Sequence, residues 1–464
     1  MLNVTDSFMK LATETTLSQV PDRVVHECKR VLLDSLGCAL GGIASDKGKV
    51  GITMAAKMGG LPESTLLGVG GRYSAGVAAF ANSELMNGLD MDTIGHLPPI
   101  IIPALLAMAE AKKSSGRDFL LAMVIAQEIG ARVGRGVSTM MASLAKRGTT
   151  PDVFGNSNEY ILGAAVGCAL LMGLPPEQVA QSMAISAYLC SLPVCKDWES
   201  TLPKAMIKYA PTAWMAQGAV QAALLAEEGY TSNKYTLDSE FGFPLIYSQD
   251  ASVWSAEKVL AGLGENWLFA NYYYKPYPCC RFIHSILDCY YQLKAEYDFK
   301  PGEISAVRCH SDNFVAHPDQ HAVENQIDAQ FSIPYSVAMA AYGYKIGPAW
   351  QDKAALTSPD IKDFMKKVEV IVTPKVKEMR RVDGKAFYGK VEIDARGKTF
   401  EAEAMYSRGT DVEGYRMTDD DLIAKFKANS GILLSDSRMD KAVQLIMDLE
   451  NLEDLNDLTK YLHV

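Results

Sequence analysis

The order of hydrophobic patterns along this chain constrains its fold more than any other feature. Up to about residue 270, apolar residues recur every three or four positions, as between Pro21 and Leu40, where charged residues fill the opposite face. Beyond about residue 271, alternating and β-branched residues predict strands at 304–310, 368–373, 389–395 and 398–404. Helical spacing returns after Gly409. We therefore predict a mainly α-helical chain in which an α+β region, residues 271–409, separates helical residues 1–270 from helical residues 410–464.

Several of the predicted helices consist largely of small residues. Alanine and glycine dominate 163–169 and 216–226, and such residues let helix axes approach closely, so we expect a compact helical bundle. Within the α+β region, helices are predicted at 282–294 and 332–342, and Arg396-Gly397 is the predicted turn of a hairpin.

Length and charge limit the classes of protein that remain. A chain of 464 residues exceeds what one hydrophobic core usually supports, so two domains are expected. Its net charge of −10 argues against nucleic acid or an anionic membrane as a partner, although a local cluster of Lys and Arg can still bind a small anion. We expect no membrane segment, because the apolar runs fall short of the roughly 18 residues that a spanning helix needs. Nine cysteines without a Cys-x-x-Cys pair, and no signal-peptide pattern, predict free thiols in the cytoplasm.

The stretch between Asn87 and Pro99 is the first candidate for chemistry. It is a polar loop between a helix predicted at 75–86 and a helix predicted to open at Pro103. Its side chains of interest are Asp90, Asp92, Thr93 and His96. A histidine can move a proton at neutral pH, and an aspartate can hold its tautomer. The alternative is that the aspartates only cap a helix or satisfy a turn.

A second candidate follows the change of pattern, between Tyr274 and Ser285. Two prolines keep the entry extended, and a helix is predicted to start at about residue 278 or 279. Lys275 then precedes that helix, while Arg281 and His284 share a face of its first turns. Free N–H groups with Lys and Arg beside them can seat a carboxylate or phosphate, although an ordinary basic helix start has the same pattern.

Other motifs point to little further chemistry. Lys204 and Lys208 lie one helical turn apart and can reach a buried anion, although such lysines are more often solvated. His317 and His321 have the spacing of a metal pair, but Pro318 favours a loop there. The chain has no nucleophile elbow and no phosphate-binding Gly-Lys-Ser/Thr. We predict neither a metal nor a cofactor.

Two segments resemble one known family closely. They are Lys275-Pro-Tyr-Pro-Cys-Cys-Arg with His284, and Asp328-Ala-Gln-Phe-Ser-x-Pro-Tyr335. With the Leu-Asp-x-Asp and His of the 87–99 loop and the small-residue helices, they resemble the MmgE/PrpD family, which includes 2-methylcitrate dehydratase, cis-aconitate decarboxylase and iminodisuccinate epimerase. The resemblance extends over nearly the whole chain.

The resemblance implies a helical domain built from both ends of the chain, an inserted α+β lid, an active site between them and a homodimer. It also implies cofactor-free proton transfer at a carbon beside a carboxylate of a small di- or tricarboxylate. By position, the family's functional residues correspond to Asp90, Thr93, His96, Lys275, His284 and Tyr335. For the lysine of the helical domain, the spacing from Gly218 favours Lys208, with Lys204 as the alternative.

The chain departs from the family in two places. Its Asp-to-His loop is shorter than in the decarboxylases, and Thr150 stands where the family has a second histidine. We expect Lys275 and Arg281 to bind carboxylates, Lys208, His96 and Tyr335 to move protons, and Asp90 to orient His96. A lyase, either dehydratase or decarboxylase, ranks first. A dicarboxylate epimerase ranks second, and a non-catalytic carboxylate-binding protein stays as a further alternative.

Overall fold

The computed structural model describes residues 3–93, 95–151, 157–190, 195–312 and 318–464. The first part of the chain forms helices and one small hairpin, namely α1 (Val4–Glu14), α2 (Asp22–Gly42), α3 (Asp46–Met58), β1 (Ser64–Thr65), β2 (Arg72–Tyr73), α4 (Ala75–Asn87), α5 (Pro98–Lys112), α6 (Gly116–Arg147), α7 (Ile161–Leu171), α8 (Pro176–Leu189), α9 (Cys195–Ser200), α10 (Thr212–Glu227), α11 (Phe243–Ser248) and α12 (Ala256–Leu260). The middle part mixes helices and strands, namely α13 (His284–Tyr297), β3 (Ile304–Ser311), α14 (Gln326–Phe331), α15 (Ile333–Ala341), α16 (Lys353–Thr357), α17 (Pro359–Met365), β4 (Val368–Val372), α18 (Lys375–Val382), β5 (Gly389–Ala395) and β6 (Lys398–Ala404). The last part is helical again, with α19 (Asp419–Ser430), α20 (Asp436–Met447) and α21 (Asn456–Thr459). The mainly α-helical prediction is confirmed.

Two hydrophobic cores organise these elements. One core draws its buried residues from 4–274 and again from 417–462, so the C-terminal helices pack with the N-terminal ones. The other core lies within 277–402 and also includes Trp198 from the helical part. The domain boundaries proposed at residues 270 and 410 stay predictions.

Close helix packing depends on the small residues noted in the sequence. A Cβ added at Gly163 of α7 would lie 2.1 Å from the backbone oxygen of Ala126 in α6. A Cβ at Gly42 of α2 would lie 1.9 Å from the backbone oxygen of Leu85 in α4. Since real side chains do not tolerate such distances, glycine at these positions sets how closely the helices approach.

The four-stranded sheet has the order β4-β3-β5-β6. Strand β3 pairs in parallel with β4 and antiparallel with β5, and β5 and β6 form the predicted hairpin, with Ala395 opposite Lys398. Its two turn residues have φ of 52° at Arg396 and 72° at Gly397. This left-handed pair matches the right-handed twist of the flanking strands, and the predicted turn is confirmed.

Two predicted helix starts are wrong. Helix α5 begins at Pro98 rather than Pro103, because Pro98 and Pro99 supply its first turn and Pro103 is accommodated inside the helix. Helix α13 begins at His284 rather than at 278 or 279, and Arg281 lies in a preceding 3₁₀ turn. The backbone N–H of Cys280 donates to Gln330 O, which keeps this segment from joining the helix.

Within the described part of the chain, no helix is both long enough and apolar enough to cross a membrane. All nine cysteines are unpaired thiols, and eight of them are buried, as expected from their spacing. The cytoplasmic location stays a prediction.

Candidate active site

The loop between α4 and α5 buries its charged side chains instead of exposing them. Asp90, Asp92 and His96 are at most 4% exposed, and ligand atoms of the three side chains lie within 4.8 Å of one another. Asp90 and His96 both have φ of 55°. This left-handed conformation is uncommon outside glycine, and it indicates a loop whose shape is imposed by its surroundings.

Asp90 lies between two buried lysines from different parts of the chain. Lys208 Nζ donates to Asp90 Oδ1 at 2.6 Å, and Lys275 Nζ donates to Oδ2 at 2.8 Å. Burial alone would raise the pKa of Asp90, but Lys208 and Lys275 outweigh it and hold the pKa well below its usual range. Burial lowers the pKa of Lys208, whereas Asp90 and Asp92 outweigh burial and raise the pKa of Lys275. Two ammonium groups and one carboxylate leave one net positive charge.

His96 is held at both ring nitrogens. Its Nδ1 lies 2.5 Å from Asp92 Oδ2, and its Nε2 lies 2.5 Å from the hydroxyl of Tyr209. Asn87 donates to the other oxygen of Asp92 at 3.2 Å, which fixes the carboxylate. The expectation that Asp90 orients His96 is therefore wrong: Asp92 has that position, because Asp90 is taken up by lysines. Nδ1 then carries the proton of the neutral ring, and Nε2 faces Tyr209.

Thr93 is fully buried beside these groups. Its hydroxyl oxygen has no hydrogen-bond partner among the described residues. A buried hydroxyl without a partner is costly, so it is available to a bound ligand.

Lys204 lies apart from this cluster. Its Nζ donates to the backbone oxygens of Trp198 and Glu199 at 2.8 and 2.7 Å and lies 4.5 Å from the centre of the Trp198 ring. Burial lowers its pKa to about 8. Residues 201–211 are a series of turns rather than a helix, so the assumed one-turn spacing of Lys204 and Lys208 does not apply. The contacts place Lys208 against Asp90 and Lys204 against its own local turn.

Arg281 and His284 make their hydrogen bonds away from the cluster of Asp90, Asp92 and His96. Arg281 Nη1 donates to Arg408 O at 2.9 Å and Nη2 to the Thr410 hydroxyl at 2.5 Å, and burial lowers its pKa to about 10. His284 Nε2 lies 3.1 Å from Cys279 O, where its N–H donates to the carbonyl. Burial, with Arg281 beside it, lowers the pKa of His284 well below the usual value, so the ring is neutral. The bonds of Arg281 join the start of the α+β part to residues 408 and 410, where the chain returns to the helical part.

Three further residues singled out in the sequence also lie outside the cluster. The hydroxyl of Tyr335 donates to Trp350 O at 2.6 Å, and both residues belong to the core of the α+β part. Thr150 is exposed. His321 Nε2 donates to Val368 O at 3.0 Å, and His317 lies outside the described residues.

The side chains of Asp90, Asp92 and His96 are the group in the described part of the chain whose spacing could hold a metal ion. Both oxygens of Asp90 accept from lysines, and Asp92 accepts from His96 and Asn87. Lysine ammonium groups at 2.6 and 2.8 Å occupy the positions that a divalent cation would need. The donor set therefore suits an anionic substrate better than a metal.

Glu159 is a second buried acid close to this loop. It follows Ser157, whose hydroxyl donates to Gly95 O at 2.5 Å, and it packs against Gly134 of α6. Within the described residues its Oε2 has no hydrogen-bond partner. Burial raises the pKa of Glu159 to about 7. The chain thus keeps one carboxyl near the loop that titrates around neutrality.

Replacing Glu159 with Gln is expected to change how stability depends on pH. The folded pKa of about 7 exceeds the unfolded value of about 4.3, so the folded protein binds this proton more tightly. The contribution of Glu159 to stability therefore falls by about 3 kcal/mol as pH rises from about 4.3 to about 7, and E159Q lacks this loss. Burial, with Glu159 as a smaller contribution, raises the pKa of Tyr160, Cys190, Cys195 and Tyr247, so these four groups stay neutral in that range.

Urea midpoints of wild type and E159Q at pH 5 and pH 8 measure the effect. The exposed Glu240→Gln is the control and should follow the wild type. If the urea midpoints of E159Q and wild type differ by the same amount at both pH values, the raised pKa of Glu159 is contradicted.

Tyr209 was not singled out in the sequence, although it follows Lys208 directly. A tyrosine among apolar neighbours carries no pattern of its own, and only the fold brings it to His96. Burial raises its pKa well above the usual value, so the hydroxyl stays protonated and can donate to Nε2. Together, Lys208, Lys275 and Thr93 can bind oxyanions beside a His96–Tyr209 pair that can move protons.

Comparison with known proteins identifies the family of the chain. The MmgE/PrpD N-terminal domain model matches residues 6–254, and the MmgE/PrpD C-terminal domain model matches residues 277–449. A cis-aconitate decarboxylase-like protein oryM from Aspergillus oryzae is 24% identical over 98% of this chain and 96% of its own length. The cis-aconitate decarboxylase of Homo sapiens is 24% identical over 99% of this chain and 94% of its own. The cis-aconitate decarboxylase of Aspergillus terreus is 23% identical over 99% of this chain and 96% of its own length. With both family domains matched over most of its length, the chain belongs to the MmgE/PrpD family.

Proposed function

We propose that the chain is a cofactor-independent lyase that acts on a small di- or tricarboxylate, with decarboxylation as its first reaction. The observation that carries the proposal is the position of Asp90 between Lys208 and Lys275, next to His96 and Asp92. Such a cluster combines a preorganised cationic seat with a proton-transfer group in a site from which water is largely excluded. A protein that only bound carboxylates would need the first of these and not the second.

The two lysines supply the cationic binding site for a substrate carboxylate. Lys208 donates to Asp90 Oδ1 and Asn87 O, and Lys275 donates to Asp90 Oδ2 and Asp90 O. Within the described chain these bonds use two of the three N–H groups of each ammonium. The third N–H of each lysine is free for a substrate carboxylate, and the net positive charge of the three groups attracts it.

His96 and Tyr209 supply the proton chemistry. When the bond between carbon and the departing carboxylate breaks, its electron pair stays on the substrate and delocalises toward a second carboxylate held by the lysines. The carbon then takes the Nε2 proton of the imidazolium form of His96, and the neutral ring that is left takes up another proton from water. Asp92 stabilises the imidazolium form during this exchange and keeps Nε2 directed at the substrate side.

The relatives named above as cis-aconitate decarboxylases favour decarboxylation of an unsaturated tricarboxylate over loss of water. At 23–24% identity they support a reaction class more than a substrate. Dehydration and epimerisation of a hydroxy- or amino-dicarboxylate remain the competing outcomes of the assay below.

The purified protein is expected to release CO₂ from at least one member of a panel that includes cis-aconitate, 2-methylcitrate, malate and iminodisuccinate. In deuterated water the product should carry one deuterium at the carbon that received the proton, visible by NMR. Water loss without CO₂ identifies a dehydratase, and deuterium exchange without net loss identifies an epimerase. Neither turnover nor exchange across the panel would contradict the proposal and favour a binding protein.

We also propose that the chain acts as a homodimer. The C-terminal end of α8 and the start of α10 leave Tyr188, Leu189 and Trp214 exposed, at 59%, 38% and 58%. Leu189 packs beside Gly218 of α10, so these side chains belong to one apolar surface. A light-scattering mass of one chain would contradict the dimer.

A further inference from the structure

Five consecutive backbone oxygens of the 87–99 loop are each bound by a long polar side chain from another part of the fold. The bonds are Lys208 Nζ to Asn87 O (3.3 Å), Gln330 Nε2 to Gly88 O (2.9 Å), Gln351 Nε2 to Leu89 O (2.8 Å), Lys275 Nζ to Asp90 O (3.1 Å) and Lys425 Nζ to Met91 O (2.7 Å). We call these five side chains the carbonyl clamp. All five are at least 90% buried.

Three members of the carbonyl clamp, Gln330, Gln351 and Lys425, have no direct role in the proposed reaction. Gln330 and Gln351 come from the α+β part, and Gln330 Nε2 also donates to Gln351 Oε1 at 2.9 Å, which links the two amides. Lys425 comes from α19, 334 positions after Met91, and pairs with Asp34 of α2 at 2.6 Å. Asn429, one turn further along α19, donates to the sulfur of Met91 at 3.7 Å.

The loop needs such support because its backbone is in a sparsely populated conformation. Asp90 and His96 both have φ of 55°, and Lys208, which binds Asp90, has φ of 56°. A side chain at such a position keeps this conformation only where the surrounding structure determines it. Hydrogen bonds to carbonyls hold the backbone itself and therefore fix where each carboxylate points.

We propose that Gln330, Gln351 and Lys425 are positioning residues that hold Asp90, Asp92 and His96 in their reactive arrangement through the loop carbonyls. The expected effect of these residues on kcat rests on the proposed function, because it assumes that the 87–99 loop is catalytic. Neither glutamine nor Lys425 makes a hydrogen bond to the side chains of Asp90, Asp92 or His96 in the described structure. The two glutamines are therefore expected to act through the backbone, whereas the charge of Lys425 also acts on Asp92, an effect that the charge of Asp34 opposes.

The Asp34–Lys425 pair allows positioning to be separated from stability. Lys425→Met removes the bond to Met91 O but also leaves Asp34 buried without its partner, and this destabilises the fold in its own right. The double variant Asp34→Asn with Lys425→Met removes both charges, so most of the lost melting temperature should return. The bond to Met91 O stays absent in the double variant.

The test measures hydrogen–deuterium exchange of peptides covering residues 85–98, together with kcat and KM, in Q351L, K425M and D34N/K425M. The expected result is at least about tenfold faster exchange of this segment in each variant. We expect kcat to fall about 10- to 100-fold, with KM changed less than about threefold, because the reacting groups are displaced while the cationic seat remains.

Lys294→Met is the matched control. Lys294 Nζ also binds backbone oxygens, those of Ala340 and Ala341 at 2.6 and 3.0 Å, but far from the loop. Exchange of residues 85–98 and kcat should stay at wild-type values in this variant.

Recovery of wild-type kcat in D34N/K425M along with its melting temperature would overturn the proposal, since it would reduce Lys425 to a structural role. Unchanged exchange of the loop in all three variants would overturn it as well. The exchange measurement needs no substrate. If the wild type turns over nothing in the panel, the proposed function fails, while loop exchange still decides whether the clamp holds the loop.

Discussion

Asp92→Asn is expected to lower kcat by about 10⁴-fold without unfolding the protein. The carboxylate of Asp92 accepts from Nδ1 of His96 at 2.5 Å, whereas the amide of an asparagine can donate there. A donor opposite Nδ1 favours the tautomer with its proton on Nε2, so the nitrogen facing Tyr209 could no longer accept a proton.

His96→Gln should lower kcat by about 10²–10⁴-fold, the usual contribution of a general acid–base group.

Steady-state kinetics on the best substrate of the panel measure this effect, with circular dichroism to verify the fold. The matched control is Glu392→Gln, which alters another acid beside a histidine, His310 at 3.3 Å, in the four-stranded sheet. It should leave kcat unchanged. Activity within about tenfold of wild type in both D92N and H96Q would be incompatible with a proton-transfer role for this pair.

Asp90→Asn is expected to have the largest effect on stability. It leaves the ammonium groups of Lys208 and Lys275 buried next to each other without the carboxylate that both of them bind, at a cost of about 3–5 kcal/mol. Lys208→Met instead leaves one lysine with one carboxylate, a balanced pair, and should cost clearly less. Both variants are expected to be inactive, because the cationic seat needs both lysines in their present positions.

The stability difference between wild type and D90N should also depend on pH. The folded pKa of Asp90 lies below its unfolded value of about 3.9, so its contribution is present above that pH and is lost as pH falls through the folded pKa. The difference should therefore shrink below about pH 4. Urea denaturation across pH 3–8 measures it, with Asp298→Asn of the exposed Lys300 pair as control. A D90N protein as stable as wild type at pH 7 would show that Asp90 does not neutralise the lysines.

The regular elements followed from the sequence because their signals are local. Alternation and the Arg396-Gly397 pair determine the β5–β6 hairpin within sixteen residues, and the small-residue helices pack as their composition predicted. Helix starts were less accurate where prolines cluster, as at Pro98, Pro99 and Pro103, since each of these can occupy a first turn. At Cys280 a bond to Gln330, fifty residues away, decides where the helix begins.

The site was only partly predictable. The loop with Asp90 and His96, and the segment with Lys275, were visible as polar residues in apolar surroundings. The sequence did not show that Asp92, rather than Asp90, contacts His96, because this depends on which carboxylate the lysines reach. The spacing from Gly218 favoured Lys208 over Lys204, and Lys208 is the lysine that contacts Asp90, although the segment is not helical. Tyr209, Gln351 and Lys425 carry no local signal at all, and the fold alone brings them to the loop.

The carbonyl clamp also sets when the site can form during synthesis. Met91 leaves the ribosome long before Lys425, 334 residues later, and at 5–20 residues per second this delay is roughly 20–70 s. Lys208, Lys275, Gln330 and Gln351 are synthesised during that time, but the bond to the carbonyl of Met91 cannot form until Lys425 follows. The nascent N-terminal helices can pack, but the reactive geometry waits for α19. A ribosome-bound chain truncated before residue 425 therefore contains every proposed catalytic side chain and still lacks an assembled site.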